Sequence, residues 1–317
     1  MDRKSRIYIA GHRGLVGSAI CRRLEADGYS SLIVCDHSEL DLTKPAKVDE
    51  FFAAEKPEYV FLAAAKVGGI LANSSYPVEF LRDNLTIEIN VIDAAYRHGA
   101  KRLQSLGSSC IYPKLAPQPI REEYLLSGPL EPTNEWYAVA KIAGIKLAQA
   151  YRQQYGFHAT SLMPTNLYGP GDNFDLLSSH VVPALMRKAH EARIHRSPEL
   201  VVWGSGQPRR EFLHVDDMAA AAVFLMLNYD EPGIINVGYG TDVTIRELAE
   251  LIRSVAGYEG RLVFDTSKPD GTPQKLLDSS RLLAMGWRPR INLEQGLRET
   301  YAWFLEQESR AARSIAI

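Results

Sequence analysis

The 317-residue chain carries 36 Lys and Arg against 38 Asp and Glu, a formal net charge of −2, and 46% of its residues are hydrophobic. Such a balance offers no basic face to a nucleic acid. The longest apolar run, Met218 to Leu227, is well short of the roughly 20 residues that a membrane-spanning helix needs. Cys21, Cys35 and Cys110 form an odd set without metal-ligand spacing, and Met1 to Arg6 leads into Ile7-Tyr8-Ile9 without an apolar leader. A cytoplasmic protein of one large or two smaller domains, with no metal, nucleic-acid or membrane partner, is therefore expected.

Arg6 to Ala10 reads as a buried strand, followed by Gly11-His12-Arg13-Gly14-Leu15-Val16-Gly17 and a helix from Ser18 to Asp27 stopped by Gly28. Strand, glycine-rich turn and helix form a dinucleotide site, because the turn brings bare backbone N–H groups to a pyrophosphate at the helix N-terminus. The second strand, Leu32 to Cys35, ends at Asp36. An acid there accepts hydrogen bonds from the adenosine ribose and favours NAD, whereas Arg13 and His37 would offset the 2′-phosphate of NADP. Asp41-Leu42 is placed either to meet the adenine or to precede the helix that Pro45 opens.

Tyr59 to Ala65 is nearly all apolar, as a central parallel strand is. A helix from Pro77 to His98, closed by Gly99, precedes a short strand at Leu103 to Leu106 that delivers Ser108, Ser109 and Cys110. The next helix rests on apolar positions 136, 140, 143, 147 and 150, with Thr133 or Asn134 as N-cap and Gly156 as stop. With a strand at His158 to Leu162, the alternation builds an α/β fold, a Rossmann-type doubly wound parallel sheet. Ligands bind such sheets at the carboxyl ends of the strands, where Gly11, Lys66, Ser108 and Asn166 fall.

After Pro164 to Pro170 comes a loop over 171–179, and His180 opens a helix bearing Arg187 and Lys188. A strand and turn occupy Val201 to Arg210, and Glu211 to Asp217, an Ala-rich helix and the strand Ile234 to Val237 are expected to rejoin the first sheet. Thr244 to Val255, Leu262 to Phe264 and Leu293 to Glu306, with a turn at Lys268 to Pro273 facing the cleft, complete a smaller C-terminal α/β lobe. The expected division is a cofactor-binding domain over 1–170, rejoined by 211–238, and a substrate-binding domain over 171–317.

Tyr137 and Lys141 are four apart on a helix and share one face. A phenol beside an ammonium has its ionised form favoured and shuttles a proton more readily. Ser108 can hold a substrate carbonyl for that phenol. On their own, Cys110 reads first as a small buried hydrophobe and only then as a reactive thiol, and His180 first as a solvated residue starting a helix and only then as an acid–base group.

Together, Gly11 to Gly17, Ala63-Ala-Ala-Lys-Val-Gly-Gly69, Gly107-Ser-Ser-Cys-Ile-Tyr-Pro113, Glu131-Pro-Thr-Asn-Glu135, Pro164-Thr-Asn-Leu-Tyr-Gly-Pro170, Val202-Trp-Gly204, Arg210-Glu-Phe-Leu-His-Val-Asp-Asp217 and Lys268-Pro-Asp-Gly-Thr-Pro273 resemble one family. It is the GDP-L-fucose synthase family of extended short-chain dehydrogenase/reductases, and the resemblance runs from about Arg6 to Phe304. It implies an NADPH-dependent 3,5-epimerase and 4-reductase of GDP-4-keto-6-deoxy-D-mannose, working as a homodimer through the helices at Pro77 to His98 and Asn134 to Tyr155. Cys110 and His180 are the implied acid–base pair. Ser108 and Tyr137 would hold the enolate oxygen, and Lys141 the nicotinamide ribose. A cysteine base must reach its thiolate, which a nearby cation favours.

The same resemblance sets the cofactor against Gly11, His12, Arg13, Gly14, Leu15, Val16 and Gly17, and against Asp36, His37, Asp41 and Leu42 beyond the second strand. Deeper in, it uses Leu106, Gly107, Ser108, Ser109 and Lys141, then Pro164, Thr165, Asn166, Leu167 and His180. GDP would be held by Lys188, Trp203, Arg210 and Asp270, with Lys275 adding a cation. Two positions depart from the pattern. Lys188 stands where the family often has Arg, with Arg187 beside it in compensation. Cys35-Asp36-His37 stands where some members carry basic residues, so NADPH is expected with NADH use left open. The alternatives are a GDP-colitose synthase, a simple 4-keto reductase and a non-catalytic dinucleotide sensor. Cys110 and His180 together argue against the simple reductase, and intact Ser108, Tyr137 and Lys141 against the sensor.

Overall fold

The computed structural model describes residues 1–317 apart from Leu177, Pro269, Ala316 and Ile317. The first half of the chain runs β1 (Ile7–Ala10), α1 (Leu15–Ala26), β2 (Leu32–Ile33), α2 (Pro45–Glu55), β3 (Tyr59–Leu62), α3 (Ile70–Ser75), α4 (Pro77–Arg97), β4 (Arg102–Leu106), α5 (Glu135–Tyr155) and β5 (His158–Pro164). The second half adds β6 (Asn166–Tyr168), α6 (Val181–Ile194), β7 (Glu199–Trp203), β8 (Arg209–His214), α7 (Val215–Asn228), β9 (Ile234–Val237) and β10 (Asp242–Thr244). It closes with α8 (Ile245–Ala256), β11 (Arg261–Asp265), β12 (Gln274–Lys275), α9 (Ser280–Ala284) and α10 (Leu293–Ile315).

The larger sheet has the order β2-β1-β3-β4-β5-β9, and every neighbouring pair is parallel. Its order reverses between β1 and β3, which opens a crevice at their carboxyl ends. Ile20, Leu24, Leu225 and Met226 of α1 and α7 cover one face. Val48, Phe52, Val91 and Ile92 of α2 and α4 cover the other. Each such side chain contributes about 1.5–3 kcal/mol on burial, so the crevice rests on a rigid floor. In the C-terminal lobe, α6, α8 and α10 pack through Met186, Leu248, Ile252 and Leu297. No described helix is long and apolar enough to cross a membrane.

The chain rejoins the large sheet later than expected. Strand β8 pairs with β6, β10 and β12 in a separate sheet, and only α7 and β9 return, β9 lying beside β5. The cause is β5, which runs to Pro164 and passes into β6, leaving β6 as a parallel partner for β8. Boundaries also move: α1 starts at Leu15, β2 stops at Ile33, β3 stops at Leu62, and α10 continues past Glu306.

Helix α5 is rotated from its expected orientation. Its inner face is Ala138, Lys141, Ile142, Ile145 and Ala148, and of the expected stripe only Ala140 is buried, with Trp136 45% exposed. Close approach to α4 explains this: a Cβ on Gly144 would lie 2.3 Å from Oε2 of Glu88. No side chain fits at position 144 without displacing Glu88. Of the apolar stripe visible in the sequence, Trp136 and Ala150 are exposed, while Leu147 packs at the edge of the core that α2 and α4 cover.

Candidate active site

β1 hands the chain to Gly11 at φ +86°, where a Cβ would come within 2.8 Å of the Ala64 backbone. A Cβ on Gly17 would lie 2.1 Å from the Gly11 carbonyl oxygen. The loop carrying His12 and Arg13 can therefore fold flat over the first turn of α1, where Leu15 and Val16 sit. Gly14 is the N-cap and provides no side-chain acceptor, so a pyrophosphate fits the free N–H groups of that turn.

At the rim, Arg13 Nη2 pairs with Asp36 Oδ2 at 2.5 Å, and His12 Nε2 stands 3.5 Å from Oδ1. Oδ1 is buried and accepts no hydrogen bond. His37 is exposed, Asp41 closes a turn by accepting from Thr43 N and Oγ1 at 2.9 and 2.7 Å, and Leu42 is buried in the core. The turn at Asp41 precedes α2, as the structural reading of that residue requires.

β4 ends at Leu106, and Gly107 packs against Met163. Ser108 Oγ then accepts from Cys110 N at 3.2 Å, opening the short 3₁₀ turn Ser109–Ile111. From α5, Tyr137 packs edge-on against Phe80. Burial pushes its phenol up, opposed by the charge of Lys141. Lys141 is 2% exposed and its Nζ donates to Glu88 Oε1 at 2.7 Å. Burial works against the ammonium, but Glu88 and Tyr137 outweigh it and hold Lys141 above its ordinary range.

The Cys110 thiol accepts from Asn134 Nδ2 at 3.3 Å and from Lys275 Nζ at 3.7 Å. Asn134 is the N-cap of α5 by position only; its side chain goes to sulfur rather than to the helix. Lys275, expected among the GDP-side residues, lies on β12 in register with Arg210 of β8, which brings it to the thiol. His180 is the N-cap of α6 and an exposed residue, and loss of water around its imidazole, then the charge of Lys275, hold it below its ordinary value.

Farther along the cleft, Trp203 at the end of β7 is 59% exposed, with Lys188 Nζ 5.1 Å and Lys268 Nζ 5.5 Å from its ring centroid. An aromatic plate flanked by ammonium groups suits a purine nucleotide. Burial pushes the Lys188 ammonium and the Arg210 guanidinium down, Asp270 and Cys110 opposing this at Arg210. Asp270 binds Ser205 N and Oγ at 2.7 and 2.8 Å, and so shapes the turn beneath Trp203. Arg187 does not back up Lys188: it is engaged with Glu191 and the Phe174 carbonyl. Thr165 Oγ1 and Asn166 Nδ2 both donate to the Glu211 carbonyl, tying β6 to β8, with Pro164 and Leu167 flanking them. The 268–273 turn meets the same cleft through Thr272, which lines a cavity with Cys110; Pro269 lies outside the described residues.

Two functional contacts escaped the sequence reading. Glu88 left one signal, a carboxylate in a stripe of α4 that is otherwise Phe80, Asn84, Val91, Ile92 and Ala95. Asn134 left none, because its capping position offered a sufficient reason for an asparagine.

Residues 7–238 match the NAD dependent epimerase/dehydratase family. GDP-L-fucose synthase 1 of Arabidopsis thaliana is 60% identical over 305 residues, covering 96% of this chain and 94% of that protein. GDP-L-fucose synthase of Escherichia coli K12 is 57% identical over 316 residues, covering 97% and 98%. A crystal structure of a GDP-L-fucose synthetase from Naegleria fowleri bound to NADP has a TM-score of 0.90 at 30% identity, covering 98% of this chain and 96% of that one.

Proposed function

The chain belongs to the GDP-L-fucose synthases within the NAD-dependent epimerase/dehydratase family, and from that premise we infer that it converts GDP-4-keto-6-deoxy-D-mannose to GDP-L-fucose with NADPH. The product requires inversion at C3 and C5 and then reduction at C4. One observation carries the reading of the site: the Cys110 thiol meets an ammonium and an amide in the cleft that Tyr137 and Ser108 share.

Ser108 Oγ and the Tyr137 hydroxyl hold the C4 ketone oxygen, which makes the neighbouring C3 and C5 protons acidic. Cys110, held by Lys275 and Asn134, removes a proton from one face, and His180 returns one to the other. While the C4 oxygen carries the enolate charge, Ser108 and Tyr137 stabilise it by hydrogen bonds. In the reduction Tyr137 gives its proton to that oxygen, and Lys141, braced by Glu88, keeps a positive charge beside the phenol. NADPH supplies the hydride when bound on the 11–17 loop, with Asp36, the end of β4 and the 164–167 segment completing its site. Lys188, Trp203 and Arg210 take the GDP end, and Asp270 positions the turn that supports Trp203.

In this reading residues 1–170, with α7 and β9, form the cofactor domain and the remainder of 171–317 the substrate domain. Ile89, Trp136, Val139 and Tyr155, 50%, 45%, 39% and 52% exposed on α4 and α5, support a homodimer through these helices. Three free cysteines accord with the cytoplasm.

The test uses the purified chain with GDP-4-keto-6-deoxy-D-mannose and NADPH in deuterated water. Cofactor oxidation with deuterium at C3 and C5 is the expected result. Reduction without deuterium would make the enzyme a simple 4-keto reductase, and turnover of the dideoxy substrate alone would make it a GDP-colitose synthase.

A further inference from the structure

We propose that Glu88 is a positioning residue for the reduction, holding the proton on Tyr137 so that the phenol meets the C4 oxygen as a donor. The proposal rests on the reductase reading above and concerns a carboxylate that acts through Lys141.

Lys141 follows Tyr137 by one turn of α5, and Glu88 reaches it from α4, with Oε1 accepting from Nζ at 2.7 Å. Both members of this pair are buried. Glu88 Oε2 is also buried, has no donor, and faces the α5 backbone at Gly144. The negative charge is thus answered by one ammonium, and a glycine keeps the room for it. Nζ has three N–H bonds, so the one given to Glu88 leaves two for the cofactor ribose.

The direction of the effect follows from charge. An unpaired ammonium beside a phenol draws the proton off, which suits a phenol that must accept one. Reduction asks the opposite, because the O–H bond of Tyr137 must be intact when hydride reaches C4. A carboxylate paired with that ammonium offsets its field and opposes the appearance of a second negative charge on the phenol. The other groups around the phenol are few. Loss of water raises it most, Lys141 lowers it, and Cys110 and Glu88 raise it, while Phe80, its aromatic neighbour from α4, carries no charge. Lys141 alone would make Tyr137 an acceptor; with Glu88 behind Lys141 it stays a donor.

Ultraviolet difference titration of the chain against Tyr137→Phe, without substrate, reads this phenol alone. It should stay protonated to at least about pH 10, the ordinary tyrosine value. In Glu88→Gln it should ionise at least about one pH unit lower than in the wild type. The basic limb of kcat for NADPH oxidation should move down with it, while KM for the GDP-sugar at neutral pH changes by less than about threefold. Gly144→Ala, which crowds Oε2 but keeps every charge, should shift both in the same direction by less, and Glu88→Asp should return part of the shift. Thermal unfolding verifies that the variants are folded; if Glu88→Gln is not, Gly144→Ala and the wild-type titration decide. A wild-type phenol that ionises below about pH 9 overturns the proposal. So does a loss of reduction in Glu88→Gln that is uniform across pH, or a limb that falls while the phenol titrates as before, which would assign the lost proton to Lys141. A phenol that depends on Glu88 in a chain that turns over no GDP-sugar would sink the synthase reading and leave the assignment of Glu88 standing.

Discussion

Lys275 Nζ lies 3.7 Å from Cys110 Sγ, a contact between residues 165 apart in the chain. The register of β12 on β8 makes it, by setting Lys275 opposite Arg210. The ammonium donates to the sulfur and so orients the base that proton abstraction requires. Lys275→Gln should therefore slow deuterium incorporation at C3 and C5 by about 10- to 100-fold, within the range that acid–base catalysis contributes. Alkylation of Cys110 by iodoacetamide at neutral pH should slow in parallel, while the dissociation constant for NADPH stays unchanged. Lys275→Arg should restore part of both rates. Unaltered alkylation in Lys275→Gln would show that the ammonium does not support the thiol.

The two halves of the reaction should separate by mutation. Tyr137→Phe removes the proton given to the C4 oxygen but leaves Cys110 and His180 in place. Cofactor oxidation should fall about 10²- to 10⁴-fold while deuterium still washes into the substrate. Cys110→Ser should do the reverse, cutting exchange by a similar factor with NADPH binding intact. Equal losses of both activities in both variants would refute this assignment of roles.

The difference between what the sequence revealed and what it concealed follows the range of the interactions. The glycine loop was legible because its constraints are local: Gly17 must lie against Gly11, six positions away, and no other residue fits. The Tyr137 and Lys141 pair was legible for the same reason, one helical turn. The partner of β8 was not, since it depends on how far β5 runs. Nor was the orientation of α5, because an apolar stripe has the same period whether it faces a core or a partner subunit. Glu88 and Lys141 meet across 53 residues, and the contact of Lys275 with Cys110 spans still more.

The Glu88–Lys141 pair should be visible in stability. Both side chains are nearly inaccessible, 3% and 2% exposed, and Gly144 leaves the room that Glu88 occupies. Removing one partner of such a pair leaves a buried, uncompensated charge, at a cost of about 3–5 kcal/mol. Glu88→Ala should lower the free energy of unfolding in guanidinium by that order, and Gly144→Ala should also destabilise, by displacing the carboxylate. A loss below about 1 kcal/mol for Glu88→Ala, the range of surface pairs, would mean that the pair is solvated in solution.

A final prediction concerns Asp172, in the loop that leans on α1 through Gly171. Its Oδ1 accepts from Asn173 N at 2.8 Å, its Oδ2 is buried without a partner, and burial pushes the carboxyl up to about 7. An unfolded aspartate titrates near 3.9. Between these values the folded chain holds a proton that the unfolded chain has lost, so stability must fall as pH rises from about 4 to about 7 and stay level above that. The full span is on the order of 4 kcal/mol. Asp172→Asn keeps the acceptor for Asn173 and removes the titration. Denaturant unfolding should therefore show the variant gaining on the wild type with rising pH across that window, and holding a constant lead beyond it. Parallel stability curves from pH 4 to 8 would show that Asp172 keeps its charge at little cost in the fold, with water reaching Oδ2.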